Sequence, residues 1–188
     1  MQRAALALQF PVIFGPSVSD LPVLPNEIVR GKLYLGSAAT NNERALDALG
    51  ITHIVSVVER NLTPPAGRAR LLCKIPDTDD APLLPVLRKA LPFISRAMRG
   101  GGRVLVHCER GASRSVSVCC AHMMLSQGHE LPTIATALDY VKERRTCAQP
   151  NAGFLAQLLS IDVHEWREWL RALLEADAAA GRSDSEAS

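Results

Sequence analysis

The stretch His107-Cys108-Glu109-Arg110-Gly111-Ala112-Ser113-Arg114-Ser115 holds the residue types whose spacing could do chemistry. VLV before it reads as a strand, and the apolar run from Ser115 to Gln127 as a helix. A turn joining a strand end to a helix start can aim its backbone N–H groups inward, and the helix N-terminus adds a positive dipole end. Together these make an anion cradle. Gly111 permits a backbone conformation that a β-carbon would penalise. Arg114 closes the turn with a planar fork matched to two phosphate oxygens. Cys108 sits at the base among donors and a cation, where a thiol pKa is expected to fall well below its free value of about 8.5. A thiolate beneath a bound phosphate is arranged for nucleophilic attack on phosphorus. A buried cysteine before an ordinary helix would need none of His, Gly, Arg and Ser in register, and their coincidence favours chemistry. Ser115 could hydrogen-bond the thiolate or simply cap the helix. His107 is expected to order the loop through buried hydrogen bonds rather than act as a base.

Cleaving a phosphoester leaves an alkoxide or phenolate that needs a proton. The loop PDTDDAP offers Asp77, Asp79 and Asp80, of which at least two should only face solvent or make turns. Arg144 and Arg145 suit a helix end as cations, and as a functional alternative could contact substrate phosphate or acidic flanks.

These groups need elements to hold them. Residues 1 to about 25 contain four prolines and read as an extended lead-in. Strands are expected at 32–35, 51–58, 71–75 and 103–107. Thr40-Asn41-Asn42-Glu43 has capping-box spacing for a helix ending at Gly50. NLTPPAG is a loop. Leu83, Leu87, Ala90, Leu91 and Ile94 keep helical spacing to about Arg99, where three glycines end the run. The helix from Ser115 should stop at Gly128. Pro132 suits N1 of the next helix, which runs to about Arg145. A last helix spans about 152–176, and the segment from about Ala178 reads as a frayed tail. Strands alternating with helices imply an α/β fold with a central, mostly parallel sheet flanked by helices. Ligands of such sheets bind outside the carboxyl ends of the strands, so the loops after VLVH and LLCKI should face one crevice.

The chain has 188 residues, 47% hydrophobic and 21% charged, which fits one domain with a full core and excludes a disordered or polytopic membrane protein. Twenty-one Lys and Arg against 19 Asp and Glu give a net charge of +2, too balanced to suggest nucleic acid as a partner. Five cysteines with an adjacent pair (Cys119, Cys120) and no CxxC point to free thiols in a reducing compartment, not to disulfides or zinc. Cys119 and Cys120 read as core. Cys73 reads as a packed strand cysteine, with a resolving redox thiol as the alternative. No apolar run is long enough to span a membrane. A cytoplasmic location is expected, possible in the nucleus too, with a mitochondrial presequence as the lesser reading because no acid precedes Asp20.

HCERGASRS resembles the HCxxGxSRS signature of the dual-specificity phosphatases, within the cysteine-dependent tyrosine phosphatase superfamily. The resemblance extends over about residues 26–171, leaving 1–25 as lead-in and 172–188 as helix end and tail. KLYLGSAA is similar to the family's first strand and turn, LLPVLRKALPFI to the helix after its acid loop, and PNAGFLAQL to the segment that supports its phosphate loop, with Asn151 in that supporting role. The resemblance implies Cys108 as nucleophile, Arg114 with loop residues 109–113 (Glu109, Arg110, Gly111, Ala112, Ser113) as the phosphate site, and Ser115 as the residue easing sulfur's departure. Asp77 lies 108 − 77 = 31 positions before Cys108 and six before Leu83, spacings similar to the family's acid. Anchoring on Ile75-Pro76 instead would favour Asp79. AHMM departs from the family at His122, where a Tyr is usual, and Glu109 is an acid beside the nucleophile whose side chain should point away. No metal or cofactor is implied. The substrate implied is a phosphoprotein bearing phosphotyrosine and phosphoserine or phosphothreonine, handled as by the small atypical members. Rivals are a same-fold enzyme acting on a phospholipid, RNA 5′-phosphate or glucan, and a rhodanese-like sulfurtransferase. The absence of Lys from CERGASR counts against an inositol lipid, and a sulfurtransferase has no use for the acid loop.

Overall fold

The computed structural model describes residues 23–61, 67–126 and 131–186. Most of the lead-in, most of the NLTPPAG loop and the expected stop at Gly128 lie outside them. Five strands form one sheet: β1 (Asn26–Val29), β2 (Leu33–Gly36), β3 (His53–Val58), β4 (Ala69–Lys74) and β5 (Val104–His107). Their order is β1-β2-β5-β3-β4. All pairs are parallel except β1 with β2, a strand pair the sequence reading did not anticipate.

The strands read as near-continuous apolar runs because both sheet faces are covered. Alternation along them divides two cores. Leu33, Leu35, Val55, Val57, Val104 and Val106 face the large core under α2 (Leu83–Arg99), α3 (Arg114–Leu125) and α6 (Val163–Glu186). Tyr34, Ile54 and Leu105 face a smaller core with Leu46 of α1 (Glu43–Ala48). The register sets Gly36 and Ser56 on either side of His107, so strand ends and their loops converge on one edge.

Several boundaries differ from expectation. Helix α1 is capped by Asn42, whose side chain accepts from Ala45 N, while Thr40 ends a short 3₁₀ turn and donates to Ser37 O at 2.7 Å. Helix α4 (Ile134–Arg144) begins two residues beyond Pro132, because Thr133 and Thr136 form the capping box. The single helix expected over 152–176 is two, α5 (Ala152–Leu159) and α6. Ile161 turns into the core, 7% exposed, and Asp162 accepts from Glu165 N at 3.0 Å to start the second. Helix α6 then runs past Ala178 to Glu186, through an alanine-rich stretch of high helix propensity.

Candidate active site

The phosphate loop lies between β5 and α3, with Cys108 at its base, 1% exposed. Two donors point at the sulfur: Gly111 N at 3.1 Å and Ser115 Oγ at 3.2 Å. Ser115 lies in the first turn of α3, so the helix's positive end faces the same place. Gly111 has φ +70°, and a Cβ there would lie 2.5 Å from both Gly36 O and Arg145 Nη2. Conformation and space therefore both require glycine.

His107 is fully buried below the loop. Nε2 lies 2.8 Å from Ser56 Oγ and Nδ1 3.4 Å from Cys108 O. Burial drives its pKa down to about 4, partly offset by the hydrogen bond to the Cys108 carbonyl. The ring is neutral at pH 7 and acts as a strut. Nδ1–H then donates to the carbonyl and Nε2 accepts from the serine hydroxyl.

Arg114 is 6% exposed and is steered by groups from two other loops. Nη1 donates to Ile75 O at 3.2 Å and to Glu59 Oε1 at 3.4 Å. Nε lies 3.5 Å from Asp77 Oδ2 but makes no hydrogen bond among the described residues. A buried guanidinium N–H left over in this way is a donor available to an anion.

The acid loop meets the phosphate loop directly. Asp77 Oδ1 accepts from Ser113 Oγ at 2.6 Å and from Asn151 Nδ2 at 3.0 Å. Ser113 Oγ in turn accepts from Asn151 N at 3.1 Å. Asn151 also caps α5 by accepting from Phe154 N. Gln157 braces the far side of the acid loop, donating to Ala81 O at 2.9 Å and accepting from Leu83 N at 2.7 Å. Asp79 accepts from Gly153 N at 3.3 Å instead, and Asp80 is exposed, its carboxyl held below the usual range by Thr78. Of the three candidate acids, only Asp77 reaches the cleft, a cavity of about 530 Å³ that it lines with Glu109, Arg110, Ala112, Ser113 and Arg114. Cys147 and Gln149 complete the wall.

Glu109 points outward, where Arg60 Nη2 donates to both its oxygens at 3.1 and 3.2 Å. Its backbone carbonyl accepts from Ala38 N at 3.1 Å. Arg144 and Arg145, at the end of α4, both have partners within the chain. Arg144 lies over the Tyr140 ring at 3.5 Å. Arg145 grips the loop from outside, donating to Gly111 O (2.5 Å), Arg110 O (3.1 Å) and Asn26 Oδ1 (2.7 Å). Pulling those carbonyls outward leaves the loop amides free to face in. Cys73 is 4% exposed, and burial pushes its thiol up to about 11, so it carries almost no thiolate for redox exchange. Burial likewise raises Cys119 and takes Cys120 to about 12. The sequence reading did not single out Glu59, Ser56 or Gln157. Glu59 alone carried a signal, as the first residue after a strand that ends at the crevice.

Comparison with known proteins agrees with this geometry. Residues 33–163 match the family model "Dual specificity phosphatase, catalytic domain". "Dual specificity protein phosphatase 1" of Arabidopsis thaliana is 39% identical over 142 residues, 74% of this chain and 69% of that protein. The human protein of the same name is 35% identical over 132 residues, 69% of this chain but only 35% of that longer protein. The crystal structure of human DUSP28 superposes with a TM-score of 0.67 at 33% identity, covering 80% of this chain and 97% of that one. The chain therefore belongs to the dual specificity phosphatase family.

Proposed function

We propose that the protein hydrolyses phosphotyrosine and phosphoserine or phosphothreonine in proteins through a phosphocysteine at Cys108. The observation that carries this reading is the sulfur held by Gly111 N–H and Ser115 Oγ–H beneath the unspent Nε of Arg114, with the Asp77 carboxyl across the same cleft. The substrate's phosphoryl oxygens take the loop amides and the Arg114 fork. Cys108 Sγ attacks phosphorus, the P–O bond to the side chain breaks, and Asp77 delivers its proton to the departing oxygen. Asp77, now a carboxylate, takes a proton from water as that water attacks phosphorus. The S–P bond breaks, and the Ser115 hydroxyl stabilises the returning thiolate. Charge on the equatorial oxygens persists through both transition states, so Arg114 and the amides act throughout.

Dual specificity is supported by the cleft wall. Asp77, Glu109, Arg110, Ala112, Ser113, Arg114, Cys147 and Gln149 line it, with no aromatic ring among the described residues. Nothing there selects a phenyl ring over a short alkyl side chain. Matched phosphotyrosine and phosphothreonine peptides test this: comparable kcat/KM supports it, and strict rejection of phosphothreonine overturns it. No described helix is long and apolar enough to cross a membrane.

A further inference from the structure

A second cavity, of about 420 Å³, lies at the other end of α3 from the phosphate loop. Its volume falls in the small-molecule range, roughly 300–1,000 Å³. It opens between the last turns of α2 and α3, the β1–β2 turn and α6. Arg114 begins α3 in the catalytic cleft and Leu125 ends it in this cavity. Eleven steps at ~1.5 Å rise separate the two by roughly 16 Å.

Among the described residues its charged lining is entirely cationic: Lys32, Arg99, Arg167 and Arg171. Two of the four are already engaged. Arg167 donates from Nε (3.1 Å) and Nη2 (2.7 Å) to Met124 O, satisfying a carbonyl of α3's last turn. Arg171 pairs with Glu168 and Glu175 on its own helix. Lys32 and Arg99 are exposed and make no ion pair with the described residues, so the surplus charge is theirs. Leu125, Leu170 and Leu174 supply apolar wall beside them.

This combination selects a ligand class. The cavity lacks the inward amide cradle of the catalytic loop, because α2 and α3 both present carbonyl ends here. A bare phosphate would leave the leucine wall unused. A single anionic head on Lys32 and Arg99, joined to an alkyl or aryl body against the leucines, uses both features, with apolar burial supplying most of the affinity. We propose that this cavity binds a small amphiphilic anion of that kind.

Calorimetry on the full chain tests it, with dodecanoate below its micelle concentration as probe and dodecylammonium as comparator. Each titration is run with and without saturating orthovanadate, which occupies the catalytic cleft. Expected are one-to-one dodecanoate binding, at least about tenfold weaker binding of dodecylammonium, and at least about a tenfold loss in the Lys32→Glu/Arg99→Glu double variant at unchanged Tm. Leu170→Trp, which fills the cavity, should abolish binding with the circular dichroism preserved. Lack of saturable binding, equal affinity for the cation, or indifference to the charge reversal would overturn the proposal and leave the two cations serving helix ends and solvent. Displacement by vanadate would place the probe in the catalytic cleft and overturn it too.

Discussion

Acidification from pH 7.5 to 5 should weaken the fold by about 2 kcal/mol through one side chain, His107. In the folded protein its pKa is pushed down from 6.5 to about 4 by burial. Unfolding returns the ring to water and to its ordinary value. Between those two values the unfolded chain binds the extra proton, so stability is full above pH 6.5 and falls as the pH drops toward 4. At ~1.4 kcal/mol per unit, the full window is worth about 3 kcal/mol, of which roughly 2 is lost by pH 5. No discount for solvent screening applies, since the ring is 0% exposed and lies 2.8 Å from Ser56 Oγ. Urea unfolding at a series of pH values measures the loss. His107→Asn is the control: less stable overall, it should show a slope between pH 7.5 and 5 shallower by about 2 kcal/mol over that span. Parallel slopes for the two proteins, or an NMR titration of His107 with a midpoint near 6.5, would refute the buried neutral strut.

Asp77→Asn should cost little on an aryl phosphate with an acidic phenol and on the order of 10²–10⁴ in kcat on phosphothreonine, whose alkoxide cannot leave unaided; Asp79→Asn should show no such leaving-group dependence. Arg114→Lys should fail to restore either vanadate binding or turnover, because an ammonium cannot supply the fork and the spare Nε; near-normal kinetics would contradict that geometry. Arg145→Ala removes three donors, two of them to phosphate-loop carbonyls, and should weaken vanadate binding by on the order of tenfold or more, from hydrogen bonds of charged donors worth ~1.5–3 kcal/mol. Gly153→Ala puts a Cβ 1.7 Å from Asp79 O and should displace the acid loop, reducing phosphothreonine turnover more than aryl phosphate turnover.

The nucleophile's surroundings were legible because strand end, loop and helix start fall within nine consecutive residues, where each residue type has a local reason. What braces them was not. Ser56, Glu59 and Arg145 reach the loop only because β3 lies beside β5 and α4 ends against the loop's outer rim. Strand order and helix placement are set by tertiary packing, which a single sequence does not display. Asp77 was preferred over Asp79 and Asp80 on spacing alone for the same reason: Ser113 and Asn151, 36 and 74 positions away, are what hold Asp77 in the cleft. The break before α6 had no Gly or Pro to announce it, since Asp162 makes the cap and Ile161 the turn into the core. β3 and β5 were readable from their β-branched residues and β2 and β4 as short apolar runs, whereas β1 is four residues that pair antiparallel at the edge.

The most direct test of the proposed chemistry is to quench the enzyme in acid during turnover of an aryl phosphate and locate phosphate by peptide mass spectrometry. Asp77→Asn should enrich the trapped species by slowing water's attack. The expected result is a phosphoryl group on the peptide containing Cys108, absent from Cys108→Ser, which keeps the fold but loses turnover. Phosphate on another residue, or Cys108→Ser retaining more than about a tenth of the wild-type rate, would contradict a cysteine nucleophile worth several kcal/mol of barrier.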